Sequence, residues 1–219
     1  MKIEASTLKF LSDLKKNNTR EWFEKNKDRY LDAKKNVEGF ADHLIQLMSK
    51  KDDRLKQLKA KDCMFRIHRD VRFSKNKSPY KTSFGIVVGK NGRKTTEAGF
   101  YLHIEPGKGM IAGGIWMPEP KTLYKIRQEI EYNHKAFLKI LKEKKFVARF
   151  KKMDEEKLKR PPKGFDAEHE AIELIKHTSF VVTCKVSDTQ LLAKNLDAQC
   201  VKVKSDMNSF CNFLSSALH

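Results

Sequence analysis

No stretch of this 219-residue chain approaches the apolar length needed to span a bilayer, and Met1-Lys-Ile-Glu-Ala-Ser6 has no apolar signal core. The sequence therefore predicts a soluble, cytoplasmic protein with no membrane partner. Cysteine is scarce: Cys63, Cys184, Cys200 and Cys211 are far apart inside apolar patterns, and no CxxC occurs. That predicts buried thiols in a reducing compartment rather than disulfides or a metal centre. Internal repeats and low-complexity blocks are absent, as are GxGxxG after a strand, GxxxxGK[ST], HExxH and GxSxG, so no cofactor is indicated. The seven histidines are dispersed, and no metal site is expected. Asp70, Glu105 and Lys108 have the order of a metal-dependent nuclease core, but Glu105-Pro-Gly-Lys108 puts the lysine in a turn rather than on a strand.

Acid is also in short supply. Against 46 Lys plus Arg stand 28 Asp plus Glu, a formal net charge of +18. This balance favours an anionic small molecule or a polyanion as partner, with weak nucleic-acid binding at low salt. Lysines on helix surfaces, as in Lys142-Glu-Lys-Lys145, serve solubility equally well. Hydrophobic residues at 39% and aromatics at 10% offset a charged fraction of 34% and identify a globular chain. A single domain over residues 1–219 is expected, burying roughly 70% of the surface of its unfolded chain.

Periodicity divides the chain into three parts. In residues 6–49, Ser6 caps a helix carrying Leu8, Leu11 and Leu14 that Asn17-Asn18 ends. Asn18 and Glu21 then stand at capping-box spacing for a second helix running to Ser49, with Gly39 tolerated or kinking it. In residues 63–117 the period becomes two: Phe84, Ile86 and Val88, a hairpin at Asn91-Gly92, then Phe100, Leu102 and Ile104. A turn at Pro106-Gly-Lys-Gly109 leads to a strand over 110–117. In residues 121–219, Pro118 and Pro120 introduce a helix to Lys145 that breaks at Asn133, and Arg160-Pro-Pro-Lys-Gly164 is a loop. A short helix near 168–176, a strand over 180–186, and a Ser187/Gln190 capping box for a long C-terminal helix complete the chain. The expected class is α+β: a central antiparallel meander with helices packed on it and long N- and C-terminal helices.

The segment Phe65-Arg-Ile-His-Arg-Asp-Val-Arg-Phe-Ser-Lys-Asn-Lys-Ser-Pro-Tyr-Lys-Thr82 holds the densest chemistry. Read as a strand over 64–73, it places Phe65, Ile67, Arg69, Val71 and Phe73 on one face and Arg66, His68, Asp70 and Arg72 on the other. Arg69 must then pair with a carboxylate or bind a ligand anion, because a guanidinium on an apolar face is costly alone. The polar face, continued by Ser74, Lys77, Tyr80 and Lys81, is either a solvated surface or a grip for phosphate or carboxylate oxygens, with Asp70 orienting an arginine. Gly113-Gly114 marks a bulge or a close backbone approach, read either as room for Trp116 or as N–H groups completing the anion site. Arg127, Tyr101 and His103 are candidates to point at the same place.

At this segment the chain resembles a widespread family of conserved hypothetical proteins, a domain of unknown function. The resemblance rests on Trp22-Phe23 with Asn26 and Tyr30, on Arg66 through Thr82, on Tyr101-Leu-His-Ile104 and on Gly113-Gly-Ile-Trp-Met-Pro118. It continues through Leu123 with Ile126-Arg127 and Pro162-Lys-Gly-Phe-Asp166, nearly the whole chain. It implies one compact α/β-type domain of this size and brings no established activity, cofactor or catalytic residue. The residues themselves give an anion-binding domain with Arg66, Arg69, Asp70, Arg72, Ser74, Lys77, Tyr80, Lys81 and Arg127 as ligand-binding candidates. The alternatives are an enzyme acting on a phosphoester, with Asp70 or His68 in acid/base work, and a nucleic-acid or protein interaction module.

Overall fold

Leu8, Leu11 and Leu14 recur at helical spacing and all are buried, on a helix that the computed structural model of residues 1–219 places at Ala5–Lys16 (α1). Its N-cap is Glu4, and Ser6 lies inside the first turn rather than capping it. The long second helix is two: α2 (Arg20–Lys25), capped by the Thr19 hydroxyl accepting from the Trp22 N–H, and α3 (Lys27–Ser49). They part at Asn26, whose backbone leaves the helical region at φ −116°, ψ 23°. Asn18, expected as the cap, is engaged elsewhere. Gly39 does not interrupt α3, and a side chain there would meet the Met1 thioether.

After α4 (Ala60–Cys63) come β1 (Phe84–Val88), β2 (Gly99–Ile104) and β3 (Met110–Ile115), then α5 (Pro120–Leu141), α6 (Lys144–Phe150), α7 (Ile172–Ile175) and β4 (Phe180–Lys185). The strands form one antiparallel sheet in the order β1-β2-β3-β4, and with ten helices the class is α+β. Along β2, Phe100, Leu102 and Ile104 are buried while Tyr101 and His103 are half-exposed, the period-two pattern of a sheet with two unlike faces. Asn91-Gly92 does not close a tight hairpin. Gly92, at φ +58°, sits in a short 3-10 turn, and Arg93 donates to the Lys61 and Met64 carbonyls, which ties the connection to the end of α4. Pro120 occupies the first turn of α5, and Asn133 breaks that helix at φ −118°, ψ 29°. The Ser187/Gln190 capping box is present, but the long C-terminal helix is divided into α8 (Asp188–Leu191), α9 (Leu196–Asp206) and α10 (Asn208–Ser216). None of the four cysteines forms a disulfide.

Contacts group the chain into two compact units. The first comprises Met1–Lys94, Tyr101–Ile111 and Lys185–Val201. In it α1 packs on α3, burying Phe10, Leu11 and Leu14 with Val37, Phe40 and Leu44. Asn36 of α3 accepts the Glu4 N–H at 3.0 Å and the Thr7 hydroxyl at 2.9 Å, fixing the start of the chain. The second unit comprises Thr95–Phe100, Ala112–Cys184 and Lys202–His219. Its core is aromatic: the Phe137 ring stacks on Phe213 at 4.6 Å and Phe210 at 5.9 Å, and Phe146 joins Phe210 at 5.6 Å.

Gly113-Gly114 is a close approach and not an accommodation of Trp116, which is 72% exposed. Gly114 has φ +121°, and a Cβ there would lie 2.0 Å from the Phe180 carbonyl oxygen of β4. Gly107 shares the positive φ, +73°, but has open space around it. Gly107→Ala should therefore cost about 1–2 kcal/mol for backbone conformation alone. Gly114→Ala should cost roughly 2–5 kcal/mol, because overpacking adds to the same strain. Urea denaturation of the two variants measures the difference, and equal losses would mean that β4 yields to the added methyl.

Candidate functional site

The basic segment is not a strand. Between α4 and β1 the chain doubles back as an irregular loop held by isolated antiparallel bridges, Met64 with Ile86 and His68 with Tyr80. The Arg69 N–H donates to the Pro79 carbonyl at 2.9 Å, and the Lys81 N–H to that of Ile67 at 2.8 Å. The reason is local competition for backbone groups. Asp70 accepts the Arg72 N–H at 3.3 Å and clamps its guanidinium at 3.0 and 2.7 Å, while Lys77 Nζ donates to the Val71 carbonyl at 3.0 Å. The expected apolar face is lost with the strand: Ile67 is buried, but Phe65 is 41% and Phe73 96% exposed.

What anchors the loop is its far end. The Tyr80 ring stacks on Phe23 of α2 at 3.9 Å with 13° between planes, inside a group that includes Tyr30 and His68. Asn18 bonds the Tyr80 backbone in both directions, accepting its N–H at 3.1 Å and donating to its carbonyl at 3.0 Å. Tyr80 is thus a buried anchor, and burial raises its phenol pKa.

The remaining candidates divide by environment. Arg69 is half-buried and donates to Ser74 Oγ at 3.3 Å, so its partner is a hydroxyl and no carboxylate pairs with it. Asp70 and Arg72 form an exposed pair, and the Arg72 guanidinium holds the Asp70 carboxyl below its usual range. Arg66 is exposed. Lys81 is half-buried, its ammonium 5.2 Å from the centre of the Phe65 ring and 3.0 Å from the Arg66 carbonyl. Burial lowers its pKa, and the Arg66 charge lowers it further. Arg127 belongs to the second unit, buried on α5 with one bond, NH2 to the His177 carbonyl at 3.0 Å.

Tyr101 and His103, on the half-exposed face of β2, form a hydrogen-bonded chain with the buried Glu105 just past its end. The Tyr101 hydroxyl lies 2.8 Å from His103 Nδ1, and His103 Nε2 lies 3.0 Å from Glu105 Oε2. Thr82, at the end of the basic loop, donates to Glu105 Oε1 at 3.0 Å. Burial pushes the Glu105 carboxyl up, but the bonds from His103 and Thr82 outweigh it and leave the pKa lowered. Nε2 of a neutral His103 must then carry the proton, and Nδ1 accepts from Tyr101. Burial and Glu105 push the Tyr101 phenol up to about 12. Gly85 makes room for this chain, because a Cβ there would lie 2.8 Å from the Tyr101 hydroxyl and 3.2 Å from Phe65. Tyr101 and His103 are expected from the sequence to point toward the basic segment; the two-residue spacing that continues to Glu105 is the signal for the third member.

Concavity is found elsewhere in the first unit. A groove of about 540 Å³ is lined by Arg54, Lys56, Lys90, Arg93 and Lys94 with Asp53 and Asp62 among them, and includes no residue of the loop. No group of three or more His, Cys, Asp or Glu side chains stands at metal-binding spacing.

The chain belongs to the family described as Conserved hypothetical protein (DUF2461), whose match covers residues 6–213. No curated protein and no solved structure matches it. No helix is long and apolar enough to cross a membrane.

The lowered Glu105 pKa fixes the sign of its pH dependence. Its contribution is fully present above the unfolded carboxyl value of 4.5 and is lost as pH falls through the lower folded value. Glu105→Gln should therefore be less stable than wild type at pH 7, and the gap should close in acid. Denaturation curves at pH 7 and pH 3 check this, and a gap that persists at pH 3 would assign the loss to shape rather than charge.

Proposed function

We propose that the chain binds a phosphorylated or carboxylated ligand through the loop 66–81, with Arg66 and Lys81 at its centre. The observation that carries this reading is the half-buried Lys81 ammonium, beside Arg66 and against Phe65, with neither cation in a salt bridge to a carboxylate. Like charges held together repel, and an oxyanion shared by both would replace that repulsion with charge-assisted hydrogen bonds. Arg69, Arg72 and Lys77 add positive potential, Asp70 orients Arg72, and Ser74 and Tyr80 hold the loop in shape.

Two observations support more specific forms. The Tyr101–His103–Glu105 chain supports a phosphoester enzyme in which His103, rather than Asp70 or His68, does acid/base work. Phe73, 96% exposed with the Arg72 guanidinium 5.9 Å from its ring centre, supports single-stranded nucleic acid as ligand, a base stacking on the ring. Weak binding to nucleic acid at low salt follows from the net charge of +18 in every form. Only binding that survives physiological salt and falls in Phe73→Ala counts for the polymer.

Titration with inorganic phosphate, followed by the backbone amide resonances of residues 66–81, tests the main reading. Those resonances should shift, and at a hundredfold excess over Kd the fold should gain about 2.7 kcal/mol. Arg66→Ala combined with Lys81→Ala should keep the fold and abolish the loop's response. An unchanged response in the double variant would refute the assignment.

A further inference from the structure

Arg127 carries a charge that the protein does not balance. It is 7% exposed, yet no carboxylate stands within ion-pair distance, and its single hydrogen bond runs from NH2 to the His177 carbonyl at 3.0 Å. Its Nε is fully enclosed and has no partner. A guanidinium stays protonated in proteins, so a buried one without an anion bears its desolvation cost unrelieved. Burial alone accounts for its lowered pKa, with no acidic group acting on it.

The segment that bonds Arg127 also holds an exposed turn. His177 is followed two residues later by Ser179, itself buried, whose Oγ accepts the Met117 N–H at 3.0 Å. Met117 is held at φ +47°, a left-handed conformation that a side chain of its size rarely adopts and that persists only where neighbours impose it. The strained turn presents Trp116 and Met117 at 72% and 66% exposure. The buried cation on α5 and the turn that carries both the imposed strain and the uncovered indole are thus each bonded to the segment His177–Ser179, all in the second unit.

We propose that Arg127 is the anchor of a second anion site, which takes a carboxylate or phosphate carried on an aromatic body. The anionic head bonds to the edge of the Arg127 fork that the His177 carbonyl leaves open, and the ring covers Trp116. Guanidinium suits this role because its planar donors match both kinds of oxyanion. The site is separate from the loop 66–81 and stands or falls without it.

The test uses benzoate, phenyl phosphate and inorganic phosphate on the whole chain, read by the Trp116 indole resonance and the amides of His177–Ser179. Wild type should respond to at least one aromatic anion, and whether benzoate or phenyl phosphate is tighter tells carboxylate from phosphate. Arg127→Met should raise the Kd by at least about tenfold and, by removing the unbalanced charge, should not lower the melting temperature. The Arg66→Ala/Lys81→Ala variant should bind like wild type here. Trp116 is exposed and can be replaced without threatening the core, so Trp116→Ala decides the matter if Arg127→Met fails to fold. It should weaken the aromatic anions and leave inorganic phosphate unaffected. No response in wild type to any of the three probes, or unchanged aromatic-anion affinity in either variant, overturns the proposal.

Discussion

The contact between Tyr80 and Phe23 is the constraint on which the candidate site depends. The loop 65–82 sets Arg66, Arg69, Arg72, Lys75, Lys77 and Lys81 against the single carboxylate of Asp70, and such a chain left to itself would spread apart. A ring stacked at 3.9 Å, with Asn18 bonding the backbone on either side of it, returns the loop to the helices before β1 begins. Repulsion among the cations is thereby tolerated because the energy of closure comes from apolar burial some distance away. A cluster of like charges that works against stability is held in this way by packing elsewhere.

Much of the scaffold was legible in the sequence because burial has a period. Leu8, Leu11 and Leu14 announced α1, the alternation of Phe100, Leu102 and Ile104 announced β2, and Pro120 and Asn133 marked the start and the break of α5. The failures share a cause in tertiary contacts that no local pattern encodes. Asn18 fits a capping box, but Tyr80, distant in sequence, claims both sides of its amide. Asn91-Gly92 fits a tight hairpin, but Arg93 finds carbonyls at the end of α4. The segment 64–73 alternates well enough for a strand, and side-chain bonds to its own backbone, from Asp70 and Lys77, dismantle it.

The candidate site was legible in composition and not in geometry. Density of arginine and lysine identified the loop, yet the same density hid that Asp70 and Arg72 satisfy each other while Arg66 and Lys81 do not. Arg127 shows the reverse case. Its place on the helix after Pro118 made it a candidate for the loop's site, whereas the absence of a partner for its Nε, visible only in three dimensions, sets it apart on its own.

The bond from Thr82 to Glu105 joins the loop to the strand at one atom. Thr82 follows Lys81 directly, and its hydroxyl helps keep the Glu105 carboxylate ionised. Were that bond to lengthen, Glu105 would become the stronger base, its hold on the His103 proton would tighten, and Nδ1 would become a better acceptor for the Tyr101 hydroxyl. A hydroxyl of the basic loop thus bears on the basicity of a carboxylate just past the end of β2, two residues removed from the imidazole it orients.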